Sequence, residues 1–152
     1  MSNFLNAAGK FFTAVSNVFT SIYNQALEST VVLVRTISGT IVKFRNLTMN
    51  VAKTLERNLN SGDYLLALAV ANTPIVISIN KYSKSQIMQK YKLGYSSYTV
   101  TSSNARAALR DAYPSGTLYN EVNVGFGVYW HWHVKVGGTK VNGVHSFYGL
   151  PV

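Results

Sequence analysis

Residues 128–136 read VYWHWHVKV, and no other stretch limits the fold as tightly. Side chains along an extended strand alternate between its two faces. Val128, Trp130, Trp132, Val134 and Val136 therefore form an apolar row suited to a core, while Tyr129, His131, His133 and Lys135 form a polar, ionisable row on the other face. The glycine-bearing segment GGTKVNG follows, and then VHSFYGL. Strand, turn, strand is the order of a hairpin, so part of this chain is expected to be antiparallel sheet. His131, His133 and His145 are all the histidines in the chain, and the hairpin carries every one of them. A register that sets His145 beside His131 or His133 brings three imidazoles together.

Upstream, the periodicity changes. Phe4, Ala8, Phe11, Phe12, Val15, Val18, Phe19 and Ile22 follow the 3–4 spacing of a helix face, and Val34, Ile37, Ile41, Phe44, Thr48, Val51 and Leu55 repeat it. The expectation is a helical hairpin with an apolar seam. After NSGD at 60–63 the pattern shifts. The apolar run at 64–79 is shorter than a membrane span and is interrupted by Pro74, so no stable span is expected; it reads as a buried helix end passing into a strand. SKSQIMQKYKLG reads as a helix capped by Ser83 and ended by Gly94, YSSYTV as a strand, and TSSNARAALRDAYPSG as a helix capped by Ser102 or Ser103 and stopped by Pro114 and Gly116. The expected fold class is α+β: an N-terminal helical hairpin followed by a small antiparallel sheet with one or two packed helices. Residues 1–62 are expected to be the helical extension and 63–152 the α+β domain.

Histidine is the side chain whose ordinary pKa lets it both take and give a proton near neutrality. Three readings of the cluster compete. The histidines are ordinary half-exposed strand residues; or the H-x-H pair and a third histidine hold zinc with one position open; or they work without metal as acid and base. RNA cleavage needs a base for the 2′-hydroxyl, an acid for the leaving oxygen and a cation for the phosphate. His131, His133 and His145 with Lys135 supply those types, and no carboxylate lies nearby in sequence except Glu121. The expectation is therefore a catalytic cluster with no metal and no cofactor. Charge bears on the substrate. Fourteen Lys and Arg oppose five Asp and Glu, a net charge of +9, which favours a polyanionic partner. Lys81, Lys84, Lys90, Lys92, Arg106 and Arg110 precede Asp111 without an acidic residue between them, and Tyr82, Tyr91, Tyr95 and Tyr98 are interleaved. Cations hold phosphates and tyrosines stack on unpaired bases, so these six are the expected nucleic-acid contacts.

The order SSNARAALRDAYPSG, YWHWHV and GVHSFYGLP, within residues 74–151, resembles the C-terminal domains of polymorphic toxins of Gram-positive bacteria. The resemblance covers about half the chain and implies His131, His133, His145 and Arg106 as active residues. It further implies an antibacterial effector, secreted or delivered into the cytoplasm of a target cell and countered by an acidic immunity protein. A ribonuclease acting on RNA without metal is the activity expected. Two other classes fit the same chain: a self-assembling structural or interaction protein, with homo-oligomers formed through residues 4–55 and incidental histidines, and a membrane-active toxin using the helix at 3–27.

Overall fold

The computed structural model describes residues 19–24, 31–36, 41–68, 75–122 and 129–152. Among these lie ten strands and three helices. In chain order they are β1 (Phe19–Asn24), β2 (Val31–Thr36), β3 (Ile41–Asn46), α1 (Met49–Asn58), β4 (Leu65–Leu68), β5 (Val76–Ser78), α2 (Lys84–Lys92), β6 (Ser96–Thr99), α3 (Ser102–Ala112), β7 (Thr117–Val122), β8 (Trp130–Val136), β9 (Thr139–Lys140) and β10 (Ser146–Tyr148). The class is α+β.

The strands form one sheet in the order β1-β2-β3-β5-β4-β6-β10-β8-β7, with β9 paired to β8. Every pairing is antiparallel except that of β10 with β6. The sheet is thus mixed and large where a small antiparallel one was expected. The expected N-terminal hairpin is corrected where it can be seen. Residues 3–18 lie outside the described residues, but Phe19–Asn24, Val31–Thr36 and Ile41–Asn46 are strands, and the second helix is confined to Met49–Asn58. Val31, Val32, Val34, Thr36, Ile41 and Val42 are β-branched. Such side chains lose rotamer freedom in a helix and pack well on a pleated surface, which overrides the 3–4 spacing. Leu65–Leu68, expected as a helix end, is a strand with all four residues buried, as befits a central strand covered on both faces. The sheet runs without a break across residue 62, since β3 is hydrogen-bonded to β5.

Helices cover both faces. On one face Ala52, Leu55 and Leu59 of α1 and its C-cap meet Leu65, Ala67, Ile75, Ile77, Tyr98, Tyr129 and Phe147. On the other, Ile87 and Tyr91 of α2 and Ala108, Leu109 and Ala112 of α3 meet Tyr64, Leu66, Leu68, Val76, Val134 and Val144. Each helix starts at a hydroxyl. Thr48 Oγ1 accepts from Val51 N at 3.3 Å, Ser83 Oγ accepts from Gln86 N at 3.2 Å, and Thr101 Oγ1 accepts from Asn104 N at 3.3 Å. Ser83 also donates its backbone N–H to the Gln86 side chain at 2.9 Å, completing a capping box. The cap of α3 is therefore Thr101, one residue before the expected serines.

Candidate functional site

Three consecutive strands of the sheet build the site, β7, β8 and the approach to β10. The turn between β8 and β9 is Gly137-Gly138, with φ of +60° and +80°. Two successive positive φ values suit a type I′ turn, whose twist matches that of the strands it joins. It folds Thr139–Lys140 back along β8 and brings Lys140 towards the histidine row. Further along the same edge of β8, Ser146 pairs with Trp132 and Phe147 with His131, so His145 enters level with His133, while β7 pairs with the opposite edge. The chain is held there from β6: Ser97 N donates to His145 O at 2.9 Å, and His145 N donates to Ser96 Oγ at 3.0 Å.

The structure brings His131, His133 and His145 together, each offering a nitrogen within 4.8 Å of the others. Ring centroids are 4.5 Å apart for His131–His133, 4.5 Å for His133–His145 and 5.2 Å for His131–His145. Register adds a fourth group that the sequence reading left without a role. Glu121 on β7 lies opposite His131. Its Oε1 is 2.6 Å from His133 Nε2 and 3.3 Å from His131 Nε2, and Lys140 Nζ stands 3.8 Å from the same oxygen. Glu121, the one carboxylate near the histidines in sequence, is thus part of the cluster. Alternation along β8 is legible in sequence; which residue of the neighbouring strand faces it depends on register, which composition does not encode.

The polar row is not a solvent face. His131 and His133 are 0% and 1% exposed, His145 is half-buried, and Tyr129 on the same row is buried. Conversely, Trp130 and Val136, expected in the core, are exposed. Phe147 packs on His131 with centroids 5.1 Å apart, and Tyr119 stacks on His133 at 5.3 Å. Burial disfavours the imidazolium. It holds His131 below its ordinary pKa, pushes His133 down to about 4 with help from His131's charge, and keeps His145 well below the usual value. Partial burial works to raise the Glu121 carboxyl, but His133, His131 and Lys140 outweigh it and leave the group below its ordinary range. The side chain of Glu121 is 40% exposed, so the carboxylate is the member of the cluster that reaches solvent most openly.

The ring protons can be assigned from the partners. His131 Nδ1 lies 3.1 Å from Tyr129 O, and a carbonyl only accepts, so Nδ1 carries the proton and Nε2 keeps its lone pair. Ser96 Oγ donates to Gly143 O at 3.0 Å, so it accepts from His145 Nδ1 at 3.2 Å, and His145 Nε2 is likewise bare. His133 Nδ1 is buried with no partner.

The other expected residues divide. Lys135 sits at the rim, its ammonium 5.2 Å from the centroid of Tyr119, the ring stacked on His133. Arg106 is elsewhere: its guanidinium lies over Trp132, 5.5 Å from the ring centroid, on the face of β8 opposite the histidines. Lys84 and Arg110 both meet Asp111, at 2.6 and 3.2 Å. Lys92 donates to Ala112 O at 2.7 Å and stands over Tyr113, and Lys90 stands over Tyr95. Lys81 lies 3.8 Å from Asp63. The cations from Lys84 to Arg110 thus belong to the α2–α3 layer, across the sheet from the imidazoles. Tyr91 and Tyr98, expected to stack on bases, are buried in the two cores. No helix among the described residues is long and apolar enough to cross a membrane. Comparisons with protein-family models, curated proteins and solved structures give no match to the chain.

Proposed function

We propose that the protein is an effector-type ribonuclease whose reactive centre is the cluster of His131, His133, His145 and Glu121. The observation that carries this reading is the convergence of three imidazoles and an ionised carboxylate on one point, with Lys140 3.8 Å from the carboxylate. A net charge of +9 supports a polyanionic substrate. The roles differ from those the sequence suggests. His131 and His133 are too buried to touch an RNA phosphate directly. Glu121 is half-exposed and ionised, so it is the group placed to take the proton of a 2′-hydroxyl as that oxygen attacks the phosphorus, while Lys140 and Lys135 balance charge on the phosphate and Lys140 supplies the proton to the departing 5′-oxygen. The histidines position Glu121 and hold it ionised. On this reading the protein acts in the cytoplasm of a target cell, and an acidic immunity protein is the partner its charge fits.

The test is cleavage of total RNA by the purified protein, read on denaturing gels across pH 5 to 8, with and without added zinc. Wild type is expected to cleave. Glu121→Gln should slow cleavage by about 10²–10⁴-fold, the usual loss for a general base. Intact RNA after incubation with folded wild type under all these conditions removes the reading.

A further inference from the structure

We infer that His131, His133 and His145 bind one divalent transition-metal ion, zinc first among them, with Glu121 beside the fourth position. Its catalytic meaning rests on the nuclease reading, but binding itself is argued from geometry alone. Protons are too few at the centre. His131 Nε2 and His145 Nε2 are bare because their Nδ1 protons go to Tyr129 O and Ser96 Oγ. Glu121 Oε1 is an acceptor as well. His133 Nε2, 2.9 Å from His131 Nε2 and 2.6 Å from Glu121 Oε1, has at most one proton to share between them. Lone pairs thus face one another in a buried space, an arrangement that a cation at their centre relieves.

The surroundings have the form that metal-binding histidines take. A ligating imidazole ordinarily donates its other N–H to a carbonyl, carboxylate or hydroxyl, which sets the tautomer and aims the ring. His131 and His145 both do so. The H-x-H pair reaches the site from one strand and His145 from its neighbour, so the backbone of the sheet fixes the three rings relative to one another. A tetrahedral ion with nitrogens at about 2.0–2.1 Å needs its ligands roughly 3.3 Å apart. The separations here, from 2.9 Å for His131–His133 to a limit of 4.8 Å across the set, bracket that value. An all-imidazole set favours zinc and its neighbours over magnesium or calcium, which prefer oxygen. Three protein ligands leave one position for water, the arrangement of catalytic zinc. Glu121, partly exposed at the edge of the set, is then placed to take that water's proton or the substrate's.

The experiment is metal analysis and cobalt(II) titration of the full chain, after chelator treatment and dialysis. Expected is one equivalent of zinc per chain, and visible absorption bands of tetrahedral cobalt that saturate at one equivalent and vanish when zinc is added. His133→Gln should abolish both. Ser96→Ala, which keeps all three ligands and removes the anchor of His145 Nδ1, should weaken binding by about 10–100-fold. Glu121→Gln should still saturate at one equivalent. Circular dichroism separates lost ligands from lost fold in each variant. Absence of binding by folded wild type at micromolar metal overturns the inference, as does full binding by folded His133→Gln. RNA measured on the same samples separates the two proposals. Undiminished cleavage by metal-free protein overturns the metal's catalytic meaning and leaves the nuclease; one equivalent of zinc with intact RNA keeps the metal site and removes the nuclease.

Discussion

His133 is buried, carries an unpartnered Nδ1, and is pushed down to about 4. An unfolded chain protonates a histidine near 6.5. Between those two values the unfolded state binds more protons than the fold, so stability rises with pH through that window and is lost as pH falls from about 6.5 towards 4. His131 and His145 are displaced in the same direction, so their contributions add. In chelator, the thermal midpoint is expected to drop on acidification through this range, and less so in His133→Gln. A flat midpoint would mean that the imidazoles are not held neutral by the fold. At this scale the sequence is informative about which residues share a face and silent about their environment. Alternation alone puts His131 and His133 in one row. It cannot show that the row is covered, because burial depends on what the rest of the sheet and Phe147 bring over it. Glu121 was visible ten residues before His131, but its role comes from the pairing of β7 with β8.

Among the elements, α2 and α3 were the most legible, because local signals set their ends: Ser83 with Gln86 in a capping box, and a hydroxyl cap ahead of the alanine-rich helix. Ser83→Ala is expected to destabilise the fold by about 1 kcal/mol, measured by urea denaturation. β1, β2 and β3 are not legible locally, since a 3–4 apolar spacing in a β-branched stretch is equally available to strands, and only long-range pairing decides between them. The entry to β7 offers a second measurement. A Cβ on Gly116 would lie 2.3 Å from Val134 Cγ2, and Val134 is fully buried. Gly116→Ala should therefore cost about 1–3 kcal/mol through overpacking. Adding Val134→Ala should recover part of that loss, and strict additivity of the two changes would exclude the clash.

For the molecule as a whole, the sheet separates two groups of cations. Lys84 and Arg110 share Asp111 in the layer of α2 and α3, whereas Lys140 and Lys135 flank the imidazole face. On the nuclease reading, Lys140→Ala should weaken RNA binding and reduce the dependence of log K on log salt by roughly 0.7–0.9, the share of one phosphate contact. Lys84→Ala with Arg110→Ala should leave that slope unchanged. A reversed pattern, read by fluorescence anisotropy at several salt concentrations, would place RNA on the helical layer. Net charge, which sequence supplies directly, says only that a polyanion is welcome. The sidedness of that charge follows from topology.

β10 sits between β6 and β8, although it is made after both. Until Ser146–Tyr148 docks, the sheet of a folding chain is in two pieces, each with a raw edge. That chain also lacks His145 in its place against β6. Closing the sheet and completing the centre are thus one event in biosynthesis. On the nuclease reading, the cell that makes the protein meets no working centre on a half-made chain, and a polypeptide stalled before this strand is an aggregation hazard before it is a catalyst.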